Sequence, residues 1–181
     1  MKQLKEQLKD VRVLTTCAMM LALATVLGFF KVPITQILEL RFSFLPLACT
    51  GMLFGPALGG IIGALSDILG YLARPTGPFF PGFTVSAIIS GIIYGSILHN
   101  KEITIRRLVV AHLVHSVVIT FGLNPLWLSM LYGKALLAVM SARMFKTVVM
   151  FPVEVALLWF ILSPAKRISA NVFSVSQRKA S

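Results

Sequence analysis

Asp67, His112, His115 and Glu154 are ionisable side chains set within apolar stretches of the chain. Groups of this kind are costly in such surroundings unless they pair or serve a site. Asp67 follows Ser66, and two roles stand for it: hydrogen bonding to the ring nitrogens of a ligand, or internal capping and pairing. His112 and His115 are three residues apart, on one side of a helix. A zinc site needs three or four ligands, and no acidic or thiol group accompanies the pair, so no metal is expected. Buried, hydrogen-bonded histidines are the first reading, and a proton relay with Glu154 is the second. Glu154 follows Lys146 by eight residues and Arg143 by eleven, so all three lie near one helical face. For Glu154 an ion-pair ladder to a neighbouring helix and a ligand contact both stand. Arg143 and Lys146 are the better ligand candidates.

Catalysis has little support. Lys134 follows Gly133, but Ala135 comes next and Leu128 occupies the place of the first P-loop glycine, so the chain has no Walker A motif. GxSxG, HExxH and paired-cysteine metal patterns are missing as well. Cys17 and Cys49 lie in apolar stretches without CxxC spacing and read as buried small hydrophobes. Neither an enzyme nor a cofactor is expected. Active movement of a solute would need an ion gradient or a separate ATPase.

The elements that position these residues follow from composition. Of 181 residues, 57% are hydrophobic and 13% charged, with a mean hydropathy of +0.87. An ordinary soluble domain carries about 25% charged residues, and a soluble fold of this size has too much surface for its volume to hide so many apolar groups. A cytosolic globular enzyme, a disordered chain and a secreted disulfide scaffold are excluded, which leaves an integral membrane protein. A spanning helix takes about 20 residues, so six would use roughly 120. Apolar runs place them at about Val13–Phe30, Leu40–Phe54, Pro56–Ala73, Pro81–Leu98, Ile105–Leu123 and Ala142–Leu162. The second is short and carries Pro46, so it is expected to start above the midplane or to bend. Gly55-Pro56 makes a tight turn, Arg74–Gly82 is stiffened by three prolines, and the amphipathic segment Asn124–Ser141 has room for a short interfacial helix. The expected fold is all-α: a six-helix membrane bundle over residues 13–162, with tails at 1–12 and 163–181. The polar N-terminus is too long to open a cleavable signal, so the first apolar run reads as a retained span.

Net charge is +11, which in a soluble protein would suggest nucleic acid. Here most cations flank apolar spans, so anchoring and orientation explain them better. Eleven Lys and Arg fall on the side that holds both termini, and six fall on the other: Lys31, Arg41, Arg74, Lys134, Arg143 and Lys146. The positive-inside rule therefore puts both termini in the cytoplasm. Snorkelling to lipid phosphates accounts for any one of the six outer cations. Together they favour an outward cavity for an anionic ligand. Phe79, Phe80, Phe83, Trp127 and Tyr132 gather on the same side. They read as an interfacial belt or, beside the cations, as a grip for a flat aromatic ligand with an acidic tail. Two small-residue rows, Gly55/Gly59/Gly63 and Ala87/Gly91/Gly95, are spaced for close helix packing. Ala18 and Ala22 repeat that spacing, for internal packing or for docking another membrane subunit.

Four stretches together carry a family resemblance: Arg41-Phe-Ser-Phe-Leu-Pro46, Gly63-Ala-Leu-Ser-Asp67, Pro75-Thr-Gly-Pro-Phe-Phe-Pro-Gly-Phe-Thr84, and Leu126-Trp-Leu-Ser129 with Tyr132-Gly-Lys134. In that order, over nearly the whole chain except the tails, the sequence resembles the substrate-binding membrane subunits (S components) of energy-coupling factor vitamin transporters. The last two stretches are similar to the folate-specific branch. The resemblance implies a six-helix fold in a bacterial plasma membrane, with a vitamin pocket open to the outside. It also implies a transmembrane coupling subunit and two ATP-binding cassette subunits as partners. Ala18 and Ala22 match the family's docking row for the coupling subunit. Lys31–Gln36 and Arg74–Gly82 correspond to its gating loops.

Folate combines a flat pterin, a benzoyl ring and a dianionic glutamate tail, which suits outer cations and aromatics. Thiamine is cationic and biotin lacks an aromatic ring, whereas riboflavin is aromatic but less acidic and is the nearest rival. The expected ring contacts are Phe79, Phe83, Trp127 and Tyr132, and the polar contacts to the pterin are Asp67 and Asn124. Arg74, Lys134 and Arg143 are expected to hold carboxylates, with Thr76 a further binding residue on the Pro-rich loop. Two other classes stand beside this reading: a stand-alone ion-coupled carrier using His112, His115, Asp67 and Glu154 as a proton path, and a purely structural membrane subunit.

Overall fold

A computed structural model of the protein describes residues 7, 9–29, 32–35, 38–40, 42–73, 75, 79–132, 144 and 147–166. Helix α1 (Val11–Phe29) starts where the Asp10 carboxylate accepts the Arg12 backbone N–H at 2.9 Å, a cap on its first turn. Strands β1 (Val32–Thr35) and β2 (Leu38–Leu40) follow as an antiparallel ribbon, pairing Val32 with Leu40 and Pro33 with Glu39. Then come α2 (Phe44–Phe54), α3 (Pro56–Ala73), α4 (Pro81–Leu98) and α5 (Ile105–His115). A π-helical segment, Ser116–Leu123, leads without a break into α6 (Asn124–Tyr132). Helix α7 covers Thr147–Lys166. The all-α expectation holds, with the small ribbon added in the first connection.

Five spans among the described residues are long and apolar enough to cross a membrane: Val11–Phe29, Pro56–Ala73, Pro81–Leu98, Ile105–Leu131 and Thr147–Lys166. The expected limits of α3 and α4 are met at both ends. Each opens on a proline at its first position, where the missing N–H would have no helical partner anyway. Gly55 makes the turn between α2 and α3 at φ +91°, a backbone conformation that glycine adopts without steric cost.

Helix α2 begins at Phe44 rather than near Leu40, because Leu38–Leu40 pair in the ribbon instead. Pro46 falls in its first turn and disrupts nothing. Nine of its eleven residues are buried. A short helix that is apolar on every side belongs at the centre of a bundle, and here Leu45, Ala48 and Met52 form one core with Tyr94 of α4, Leu108 of α5 and Leu158 of α7. Cys49 belongs to this core and Cys17 to a smaller one with Phe54 and Leu58; both thiols are free, as expected.

The two small-residue rows meet each other. A Cβ at Gly59 would lie 2.7 Å from the Gly91 carbonyl oxygen, and one at Gly91 or Gly63 would collide with the backbone of Gly59 or Ala87. Helices α3 and α4 therefore touch backbone to backbone. In lipid, this packing replaces the hydrophobic drive that water would supply.

The fifth expected span is a single α-helix only as far as His115. From Ser116 the bonding widens to the π pattern, with the Asn124 N–H reaching Ile119 O. Buried Pro125 lacks an N–H, and its ring would crowd the carbonyl four residues back; widening the helix relieves both.

Candidate functional site

The aromatic cluster is built where α4 begins. Phe80 caps the helix in an extended conformation, Pro81 follows, and Gly82 lies beneath two rings. A Cβ at Gly82 would stand 2.5 Å from both the Phe80 and Trp127 rings, so glycine lets them close over the backbone. The Phe80 centroid lies 5.6 Å from that of Trp127 and 6.0 Å, edge-on, from that of Phe83. Trp127, on α6, donates its indole N–H to Ser86 Oγ at 3.0 Å.

Nearby, Thr84 Oγ1 donates to Asp67 Oδ2 at 2.8 Å and ties α4 to α3. Internal pairing is thus part of what Asp67 does. Phe79 is 46% exposed and packs on Tyr71 at 5.1 Å. Phe80, rather than Phe79, is the ring that joins Trp127. Asn124 is half-buried at the start of α6, and Tyr132 is that helix's last residue. Arg74, Thr76, Lys134 and Arg143 lie outside the described residues, as do Lys146 and the loop position Lys31.

A polar stripe runs down the buried face of α4: Ser86, Ser90 and Tyr94, one turn apart. Ser90 Oγ donates to the Ser86 carbonyl at 2.8 Å and lies 3.2 Å from His115 Nε2. The Tyr94 hydroxyl bonds His112 Nδ1 at 3.0 Å, and His112 Nε2 lies 2.7 Å from Glu154 Oε2. Tyr94 and His112 are fully buried, while Glu154 is 20% exposed. The ladder expected of Glu154 therefore runs to α5. Among the described residues no group of three or more His, Cys, Asp or Glu could hold a metal ion.

One imidazole nitrogen of His112 meets Glu154 and the other meets the Tyr94 hydroxyl, so both are engaged within the bundle. Rings and hydrogen-bonding groups come together between α4 and α6. Phe80 belongs to the aromatic group that the sequence singles out but not to the four expected ring contacts, and sequence reasoning gives no site role to Ser86, Ser90 and Tyr94. The signal for the last three was present, in polar side chains recurring every fourth residue along one apolar helix.

Ala18 and Ala22 are exposed, on the opposite side of α1 from its buried residues Val13, Cys17 and Ala24. Two shallow apolar grooves lie elsewhere on the bundle: about 400 Å³ between α5 and α7 beside Phe151 and Trp159, and about 320 Å³ between α3 and α4 beside Gly60 and Ile88.

A bundle of helices long and apolar enough to cross a membrane is an integral membrane protein by class. Comparison with known proteins narrows this. The family model described as "ECF transporter, substrate-specific component" matches residues 12–166. The Folate transporter FolT of Clostridium novyi (strain NT) is 38% identical over 152 residues, 84% of this chain and 88% of that protein. The Folate transporter FolT of Leuconostoc mesenteroides subsp. mesenteroides is 34% identical over 161 residues, 85% of this chain and 86% of that one. Among solved structures, FolT bound with folic acid superposes with a TM-score of 0.79 and 35% identity, covering 86% of this chain and 95% of that one. The chain belongs to the substrate-specific components of energy-coupling factor transporters, a family of membrane substrate-binding subunits rather than enzymes.

Proposed function

We propose that the chain is the folate-binding subunit of an ATP-driven energy-coupling factor importer, capturing folate from outside the cell and delivering it inward. The observation that carries this reading is the likeness, over most of both chains, to a FolT solved with folic acid. The cluster of Phe80, Phe83 and Trp127 supports it, since aromatic rings of this kind suit stacking with a pterin. In this reading Asp67 and Asn124 contribute polar contacts, and Phe79 and Tyr132 rim the site. Arg74, Thr76, Lys134 and Arg143 meet the benzoyl-glutamate end, where guanidinium groups suit carboxylates. Both termini face the cytoplasm, as the Lys and Arg distribution favours. The exposed pair Ala18 and Ala22 on α1 docks a coupling subunit, and two ATPase subunits supply the energy.

Isothermal titration of the purified protein with folate, riboflavin and thiamine tests the ligand. Folate alone should give a tight isotherm, and riboflavin binding without folate binding would overturn the assignment. Uptake into vesicles tests the energetics: accumulation should need ATP and the partner subunits. Gradient-driven accumulation by the chain alone would favour an ion-coupled carrier instead.

A further inference from the structure

His115 is held in one tautomer by its surroundings. Ser90 gives its hydroxyl proton to the Ser86 carbonyl, so toward His115 its oxygen offers only lone pairs. The 3.2 Å contact from His115 Nε2 to Ser90 Oγ is therefore an N–H donation, and the bare lone pair is left on Nδ1. That nitrogen is buried and meets no hydrogen-bond partner among the described residues. A buried acceptor without a donor is destabilising, and native structures seldom tolerate one without a use for it.

The position of the ring gives it that use. It stacks against both Tyr94, at 5.1 Å and 28°, and His112, at 5.8 Å and 22°, which are themselves hydrogen-bonded to each other; this fixes its plane. His115 is the last residue of α5 before the π segment, and π segments frequently mark functional positions. Its anchor Ser90 stands one turn along α4, about 6 Å, from Ser86, the anchor of Trp127. The lone pair would repel a carboxylate and accept an N–H.

We propose that His115 Nδ1 accepts a hydrogen bond from an N–H on the edge of the heterocycle whose face meets Trp127, with Ser90 setting the tautomer that leaves this acceptor free. This rests on the reading of the chain as a folate-binding subunit and adds a specificity-determining contact to that site.

The test compares folate with p-aminobenzoylglutamate, which keeps the acidic tail and lacks the pterin, by titration against wild type and His115 variants. His115→Phe keeps a ring and should weaken folate about tenfold or more, the loss expected when a buried donor goes unmet, while leaving the fragment unchanged. His115→Asn places an amide near the position of Nδ1 and should restore most of the folate affinity, whereas His115→Gln, which mimics Nε2, should not. In 15N-histidine spectra of the wild type, the unprotonated ring nitrogen should shift when folate binds. Equal losses for folate and fragment, or folate affinity unchanged in a folded His115→Phe, would overturn the contact alone. If His115→Phe fails to fold, indistinguishable Asn and Gln variants would overturn it. Absence of folate binding by the wild type would overturn the ligand assignment first, and this contact with it.

Discussion

Trp127 and Ser86 are joined across α6 and α4 by a 3.0 Å bond from the indole N–H to the serine hydroxyl. The bond fixes the orientation of the largest ring in the aromatic cluster, and it does so from a helix whose own packing on α3 is rigid. Ring placement at the site thus derives from the small-residue contacts between α3 and α4.

Trp127→Phe keeps a ring and removes the bond. It should cost about 1 kcal/mol of stability, the usual worth of one hydrogen bond, and weaken folate less than Trp127→Ala does. Equal folate affinities for wild type and both variants would take Trp127 out of the site.

Gly91→Ala forces a methyl into the Gly59 backbone. Overpacking of this kind costs about 1–3 kcal/mol, read as a lower unfolding temperature in detergent. On α3, by contrast, a Cβ added at Gly70 would meet nothing within 4 Å. Gly70→Ala should be neutral or stabilising, by up to about 1 kcal/mol. The contrast separates close packing from a general intolerance of change in α3 and α4.

Glu154→Leu leaves the His112 imidazole without its carboxylate partner at 2.7 Å. A loss of about 1–3 kcal/mol is expected when a buried polar group loses its hydrogen-bond partner, measured by thermal unfolding. ATP-dependent uptake by surviving protein should persist. Loss of uptake with stability intact would point instead to a proton path through His112 and Glu154.

Arg143→Ala should weaken folate more than it weakens a pterin without the glutamate tail. A carboxylate-binding guanidinium acts only on ligands that carry the carboxylate. Equal losses for the two ligands would show that Arg143 does not hold the tail.

Ala18→Trp and Ala22→Trp place bulk on an exposed face of α1. Folate affinity should be unchanged, while ATP-dependent uptake with the partner subunits should fall sharply, because close helix approach needs small residues. Normal uptake by both variants would move the docking surface elsewhere.

Much of the architecture was legible from residue order. The limits of α3 and α4 follow from Gly55-Pro56 and Pro81, and the packing role of Gly59, Gly63 and Gly91 follows from their spacing. The site was only partly legible. Neighbours in sequence, Phe79 and Phe80 carry the same side chain, and only the turn of the chain into α4 decides which ring meets Trp127. The ribbon at Val32–Leu40 was hidden because Leu38–Leu40 reads equally well as the start of an apolar helix.

Composition and apolar run length by themselves determined a membrane bundle and the limits of α3 and α4 within it, because lipid selects for these properties segment by segment. The tertiary structure alone decided that Glu154 meets His112, that Asp67 meets Thr84 and that Ser90 orients His115. Such pairings depend on the rotation and depth of one helix against another. Those are set jointly by every contact in the bundle, and no local pattern encodes them.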